Sequence, residues 1–137
     1  QMTLDNKTLL MAAGPNYAAL TTLFKNGVPQ THVMWVDTDG ENILINTEIH
    51  RVKYKNVKID PRVTVMIWKH DNPFKFVEIR GEVIGEITGK EARDNIDKLS
   101  NKYWDKPYPF PIQTERIVLV IKPNKEVIFN LKDEDFQ

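Results

Sequence analysis

Short runs of alternating apolar and polar residues, separated by tight-turn residues, set the pattern of this chain. Residues 17–24 are rich in β-formers and lead into Lys25-Asn26-Gly27. Asn-Gly between two such runs is a strong hairpin signal. Residues 30–36 form the returning strand. Asp37-Thr38-Asp39-Gly40 reads as a second turn and residues 42–47 as a third strand, which together predict an antiparallel meander. Residues 62–69 are apolar on both faces (Val63, Val65, Ile67 against Thr64, Met66, Trp68), as expected of a wall buried in a barrel or at an interface. Asp71-Asn72-Pro73 reads as a turn. In residues 76–87, Val77, Ile79, Val83 and Ile87 alternate with Glu78, Arg80, Glu82 and Glu86, the clearest strand pattern in the chain. Gly81 and Gly85 mark places where that strand can bend. Residues 117–121 and 126–129 read as two further strands.

Three segments follow a helical period instead. Residues 4–13 carry a loose apolar face and stop at Gly14-Pro15. Residues 48–60 place Val52, Val57 and Ile59 among many basic residues, which predicts a short helix with one apolar stripe, ended by Asp60-Pro61. Residues 88–103 open with Thr88 and Glu91 at capping-box spacing and present Ala92, Ile96 and Leu99 as a stripe. A loop with three prolines, residues 106–113, follows. The predicted order is α-βββ-α-ββ-α-ββ. This is a mainly β fold, an antiparallel barrel of six to seven strands with short connecting helices. A parallel sheet would need a crossover after almost every strand.

Composition narrows the picture. A chain of 137 residues fits one domain, residues 1–137. The absence of cysteine excludes disulfides, thiolate zinc sites and thiol catalysis. Lys+Arg and Asp+Glu both number 19, so the chain lacks the basic excess of a nucleic-acid binder, and no nucleic-acid partner is expected. No apolar run approaches the roughly 18 residues of a spanning helix, and no secretion signal is visible, so a cytoplasmic protein without a membrane partner is expected. Gln1 ahead of Met2 reads as a remnant of expression.

The chemistry concentrates in Arg51-Val52-Lys53-Tyr54-Lys55-Asn56. This segment opens a short helix, where unsatisfied N–H groups and the helix dipole favour anions. Arg51 can fork onto two phosphate oxygens, Lys53 adds a point charge and Asn56 an amide donor. The residues alone fit a solvated basic helix face equally well. His32, His50 and His70 are scattered, and none stands out as a catalytic acid or base. His32 lies on a candidate pocket strand, and a cationic His50 would assist an anion beside it. Glu78, Glu82 and Glu86 read as a solvated strand face. No metal-ligand spacing, Gly-x-Ser-x-Gly elbow or glycine-rich phosphate loop occurs. The aromatic segment 102–111 suits either stacking on a flat ligand at a pocket mouth or packing.

Asn46-Thr47 followed by Arg51-x-Lys53-x-x-Asn56 and Asp60-Pro61-Arg62-Val63 resembles the pyridoxamine 5'-phosphate oxidase-like split-barrel superfamily, and within it the small F420-dependent oxidoreductases. Tyr17–Thr22, Gly27–Gln30 and Gly81-Glu82-Val83 are similar to further parts of that pattern. The resemblance implies a split barrel that forms a homodimer with cofactor sites at the subunit interface. It implies that Arg51, Lys53 and Asn56 hold the phosphate of coenzyme F420, or alternatively of FMN. Gln30, Thr31 and Val33 on one strand and Ile45, Asn46 and Thr47 on another would lie along the cofactor ring. Trp35, Trp68 and Phe76 would line the pocket from either subunit, though core or interface packing is the simpler reading of Trp68. The implied activity is hydride transfer from reduced F420 to a small organic acceptor. An FMN-dependent oxidase or reductase, or a non-catalytic flavin- or heme-binding module, are the alternatives.

Overall fold

The computed structural model describes residues 2–137; Gln1, read above as an expression remnant, lies outside them. Helix α1 (Asn6–Ala13) precedes the hairpin β1 (Tyr17–Leu23) and β2 (Pro29–Met34). The two-residue strand β3 (Asp37–Thr38), β4 (Ile43–Glu48) and helix α2 (Val52–Ile59) follow. The long hairpin β5 (Arg62–Lys69) and β6 (Asn72–Ile87), helix α3 (Gly89–Trp104) and strand β7 (Arg116–Phe129) complete the framework, with a terminal 3₁₀ turn at Asp133–Phe136.

The strands form one antiparallel sheet in the order β2-β1-β5-β6-β7-β4-β3. Its ends do not pair with each other, yet Leu20 of β1 and Ile43 and Ile45 of β4 share one buried cluster with Val65, Ile79 and Leu119. The sheet therefore curls around a common core and leaves a gap between its two edges, a split barrel. α1 contributes Met11 and Ala12 to that core, and Asp5 caps the helix by accepting from the Lys7 N–H at 2.8 Å. α3 covers the opposite face of β4 and β7, where Leu44, Ala92 and Val118 cluster.

The predicted meander is incorrect beyond its first hairpin. Gly27 takes φ +87° in the β1–β2 turn as the Asn-Gly signal requires, but β4 pairs with β7 and not with β2. The Asp37–Gly40 signal closes the β3–β4 turn instead, where Asp39 accepts the Glu41 and Asn42 N–H groups. Turn chemistry is local, and it does not specify which edge of the sheet a strand joins. The predicted 71–73 turn also shifts, because β6 already begins at Asn72. The two strands expected at the C-terminus are one. Pro123 sits opposite Gly81 at a register shift, where the ladder tolerates a missing N–H. Both glycines of β6 lie at such shifts, as their bends predicted. Thr88 is the N-cap of α3 but makes no side-chain cap bond, so the capping box with Glu91 does not form.

Helix α2 inverts its expected faces. Val52 and Ile59 are exposed, whereas Lys53, Asn56 and Val57 are buried. The predicted apolar stripe thus holds only at Val57, and two polar residues point inward beside it.

Candidate functional site

The gap between the sheet edges holds a cavity of about 630 Å³, the scale of a cofactor or drug-sized ligand. One wall is β2, which pairs only with β1 and leaves its other edge free. The facing wall is β4, whose residues beyond Leu44 have no partner on the β3 side. Backbone donors and acceptors thus remain available on both sides of the gap. The N-terminus of α2 stands at one end, and α3 together with the loop after it forms the roof.

Arg51 and Lys53 both line this cavity. Arg51 is the N-cap of α2 and its side chain makes no capping bond. Lys53 is only 7% exposed, yet among the described residues its ammonium has no hydrogen bond or ion pair within the chain. Burial, with the nearby Arg51 charge second, pushes its pKa below the usual lysine value. The Lys53 side chain is buried along its length while its ammonium opens on the cavity beside the exposed Arg51 guanidinium, and an anion there offsets the repulsion between the two cations. This is an anion-binding arrangement, aided by the unpaired first N–H groups of α2.

Thr31, Val33, Trp35, Asn46 and Thr47 join Arg51 and Lys53 around the cavity, and so does His32. Gln30, Ile45, Asn56 and Phe76 do not. Gln30 lies opposite Thr22 toward the hairpin turn. Ile45 points into the barrel core and is fully buried. Asn56 donates its side-chain amide to Thr22 Oγ1 at 3.1 Å, fastening α2 to β1. Phe76 stacks on Phe129 with centroids 5.0 Å apart, on the outer face of the sheet. His50 meets Thr114 Oγ1 at 2.9 Å.

Arg116 was not among the residues expected here, whereas the aromatic segment 102–111, left open between a pocket mouth and packing, brings Trp104, Tyr108 and Phe110 to the cavity. Arg116 lies directly across from Glu48 in the β4–β7 ladder. It donates to Tyr108 Oη at 2.7 Å and to Asn46 Oδ1 at 3.4 Å, with Glu48 at 3.7 Å. Burial alone would raise the Glu48 pKa, but the Thr114 N–H and the Arg116 charge outweigh it and hold it below the usual carboxylate value. A single arginine opening a strand carries no signal of this role in the sequence. Only the ladder register joins it to Glu48.

The chain just after β2 is also fixed from α3. Tyr103 Oη accepts the Val36 N–H at 3.2 Å and donates to Asn16 O. Lys102 donates to the Val36 carbonyl at 2.6 Å and to the Ala12 carbonyl at 3.1 Å. Both ends of residue Val36 are thereby held, and neighbouring Trp35 stacks on Tyr103 at 5.0 Å and 6°.

A family model described as pyridoxamine 5'-phosphate oxidase matches residues 6–127. No curated protein matches the chain significantly. Among solved structures, an F420 reductase is 28% identical, with TM-score 0.78, covering 90% of this chain and 98% of its own. The heme storage protein HutZ from Vibrio cholerae shares the fold at 10% identity and TM-score 0.67, covering 95% of this chain and 97% of its own. General Stress Protein 26 from Bacillus anthracis does so at 12% identity and TM-score 0.67, covering 92% and 93%. With the model spanning nearly the whole chain and the split-barrel architecture in agreement, the chain belongs to the pyridoxamine 5'-phosphate oxidase family.

Proposed function

We propose that this protein is an oxidoreductase that uses reduced coenzyme F420 to deliver a hydride to a small organic acceptor. The observation that carries the reading is Lys53, a largely buried lysine whose ammonium opens on the cavity beside Arg51 and, among the described residues, has no partner in the chain. These residues fit the phosphate end of a flavin-type cofactor. The free edges of β2 and β4 fit its ring, which backbone N–H and C=O groups would hold. When bound, the cofactor supplies the hydride chemistry. The chain binds it, orients it and excludes water with the α3 roof. The likeness to an F420 reductase, at 28% identity, favours F420 over FMN.

The site would be completed in a homodimer. Tyr17, Trp68, Phe76 and Phe129 occupy one cross-strand row on the outer face of the sheet, and Val33, 65% exposed, heads the next row. An apolar face of this kind favours burial against a second copy by a two-fold axis. It would bring Phe76 to the partner's cavity.

Titration of F420 and FMN into the purified protein tests the assignment. Arg51→Ala and Lys53→Ala should each weaken cofactor binding by roughly 1–3 kcal/mol, about 5- to 150-fold. Unchanged affinity in both variants would sink it. Tighter binding of FMN than of F420 would replace the F420 reading by the flavin one.

A further inference from the structure

At the end of the cavity formed by α3 and the following loop, Trp35, Trp104, Phe110 and Tyr108 form a closed circuit of edge-on contacts. Trp35 meets Trp104 at 4.5 Å and 81°, and Trp104 meets Phe110 at 5.7 Å and 78°. Phe110 meets Tyr108 at 5.7 Å and 75°, and Tyr108 returns to Trp35 at 6.4 Å and 86°. Four rings, each roughly perpendicular to its neighbours, make a box rather than a stack. It is not core, because Trp104 is 44% and Phe110 56% exposed.

The loop that carries Tyr108 and Phe110 is anchored on both sides. Pro107, Pro109 and Pro111 restrict the backbone. The Tyr108 N–H donates to Asp97 Oδ1 at 2.9 Å, and the Thr114 N–H donates to Glu48 Oε1 at 2.8 Å. Arg116 holds Tyr108 Oη and lies 4.7 Å from the Tyr108 ring centroid. A preorganised apolar site of this kind loses little freedom when a ligand enters.

We infer that this aromatic box is the subsite for the acceptor, and that it takes a planar, electron-poor conjugated ring without positive charge. The inference rests on the oxidoreductase reading of the same cavity. The ring faces are electron-rich and attract an electron-poor partner. They would attract a cation as well, but Arg116 already covers one ring of the box, and Arg51 and Lys53 line the same cavity. Two carboxylates near the box are engaged: Glu48 with Arg116 and Thr114, and Asp97 with Arg93 at 2.8 Å and with Tyr108. A cationic ring therefore meets repulsion that a neutral one does not.

Two planar para-substituted probes of similar size separate these cases: neutral 1,4-dicyanobenzene and cationic 4-cyano-N-methylpyridinium. The protein has three tryptophans, so the indole N–H resonances give a located readout. Dicyanobenzene should shift Trp35 and Trp104 and leave Trp68 unmoved, and the pyridinium should bind at least tenfold more weakly. Phe110→Ala, a change at an exposed ring, should weaken dicyanobenzene at least fivefold without altering FMN or F420 affinity. Arg51→Ala should do the reverse. Dicyanobenzene shifts absent from Trp35 and Trp104, or equal binding of the two probes, would overturn the subsite. Loss of the Arg51 effect with the Phe110 effect intact would overturn the phosphate reading instead.

Discussion

Lys53 carries a conflict between stability and binding. Its side chain is largely buried and, among the described residues, its ammonium has no partner, so replacing it by an apolar side chain of similar length removes a partial desolvation cost. Lys53→Met should leave the ligand-free protein as stable or more stable, by about 1–2 kcal/mol in denaturant unfolding, while cofactor affinity falls. A large loss of stability would show that Lys53 serves the fold. Its charge also makes binding pH-dependent. A bound phosphate favours the protonated form, so affinity should decline at alkaline pH as the lowered pKa is passed. Lys53→Arg should flatten that decline, because guanidinium stays charged.

Lys102 tests the same physics without a ligand. Burial lowers its pKa to about 8, with Asp37 opposing the shift and Lys98 adding to it. The folded state therefore holds this proton less tightly than the unfolded one. Between pH 8 and about 10.5 the unfolded chain binds more protons here, so this group's contribution to stability improves as pH rises. The difference in unfolding free energy between the protein and Lys102→Met should move toward the unsubstituted protein across that window, by at most about 3 kcal/mol. A movement in the opposite direction would contradict the burial of this ammonium.

At the scale of elements, the bends of β6 are separable. A Cβ at Gly81 would meet the Lys122 carbonyl oxygen at 2.2 Å, so the backbone of β7 would have to move. At Gly85 nothing lies within 4 Å. Gly81→Ala should cost about 2–3 kcal/mol, and Gly85→Ala should lie within about 0.5 kcal/mol of neutral, by denaturant midpoint. Strand and helix periods were readable because each depends on neighbours a few residues away. Pairing was not: β4 joins β7 across some 70 residues, and no local turn encodes that choice. For the same reason Arg51 and Lys53 could be picked from the sequence, whereas Arg116 could not. The former pair share one helix start; Arg116 reaches the cavity only through the β4–β7 register, and Tyr108, within the aromatic segment the sequence did single out, through a loop anchored on α3. Helix α2 shows the limit within one element. Its apolar residues predicted the wrong buried face, because the cavity and Thr22 draw Lys53 and Asn56 inward.

For the whole molecule, the open sheet leaves an apolar outer face and a cavity at one split. Sedimentation should give a species of twice the 16.0 kDa chain mass, and Val33→Lys should shift it toward monomer. A strictly monomeric protein at assay concentration would remove the interface from the account. Among the described residues, no helix is long and apolar enough to cross a membrane. The fold shared with a heme storage protein and an F420 reductase shows that fold alone does not choose the ligand. On the proposed reading, the cation pair in the split makes that choice. The decisive measurement is calorimetric titration of F420 into the protein and into the double variant Arg51→Ala/Lys53→Met. The account predicts saturable binding at one site per chain that weakens at least a hundredfold in the variant, with the fold retained. Equal affinity in the two proteins would contradict it.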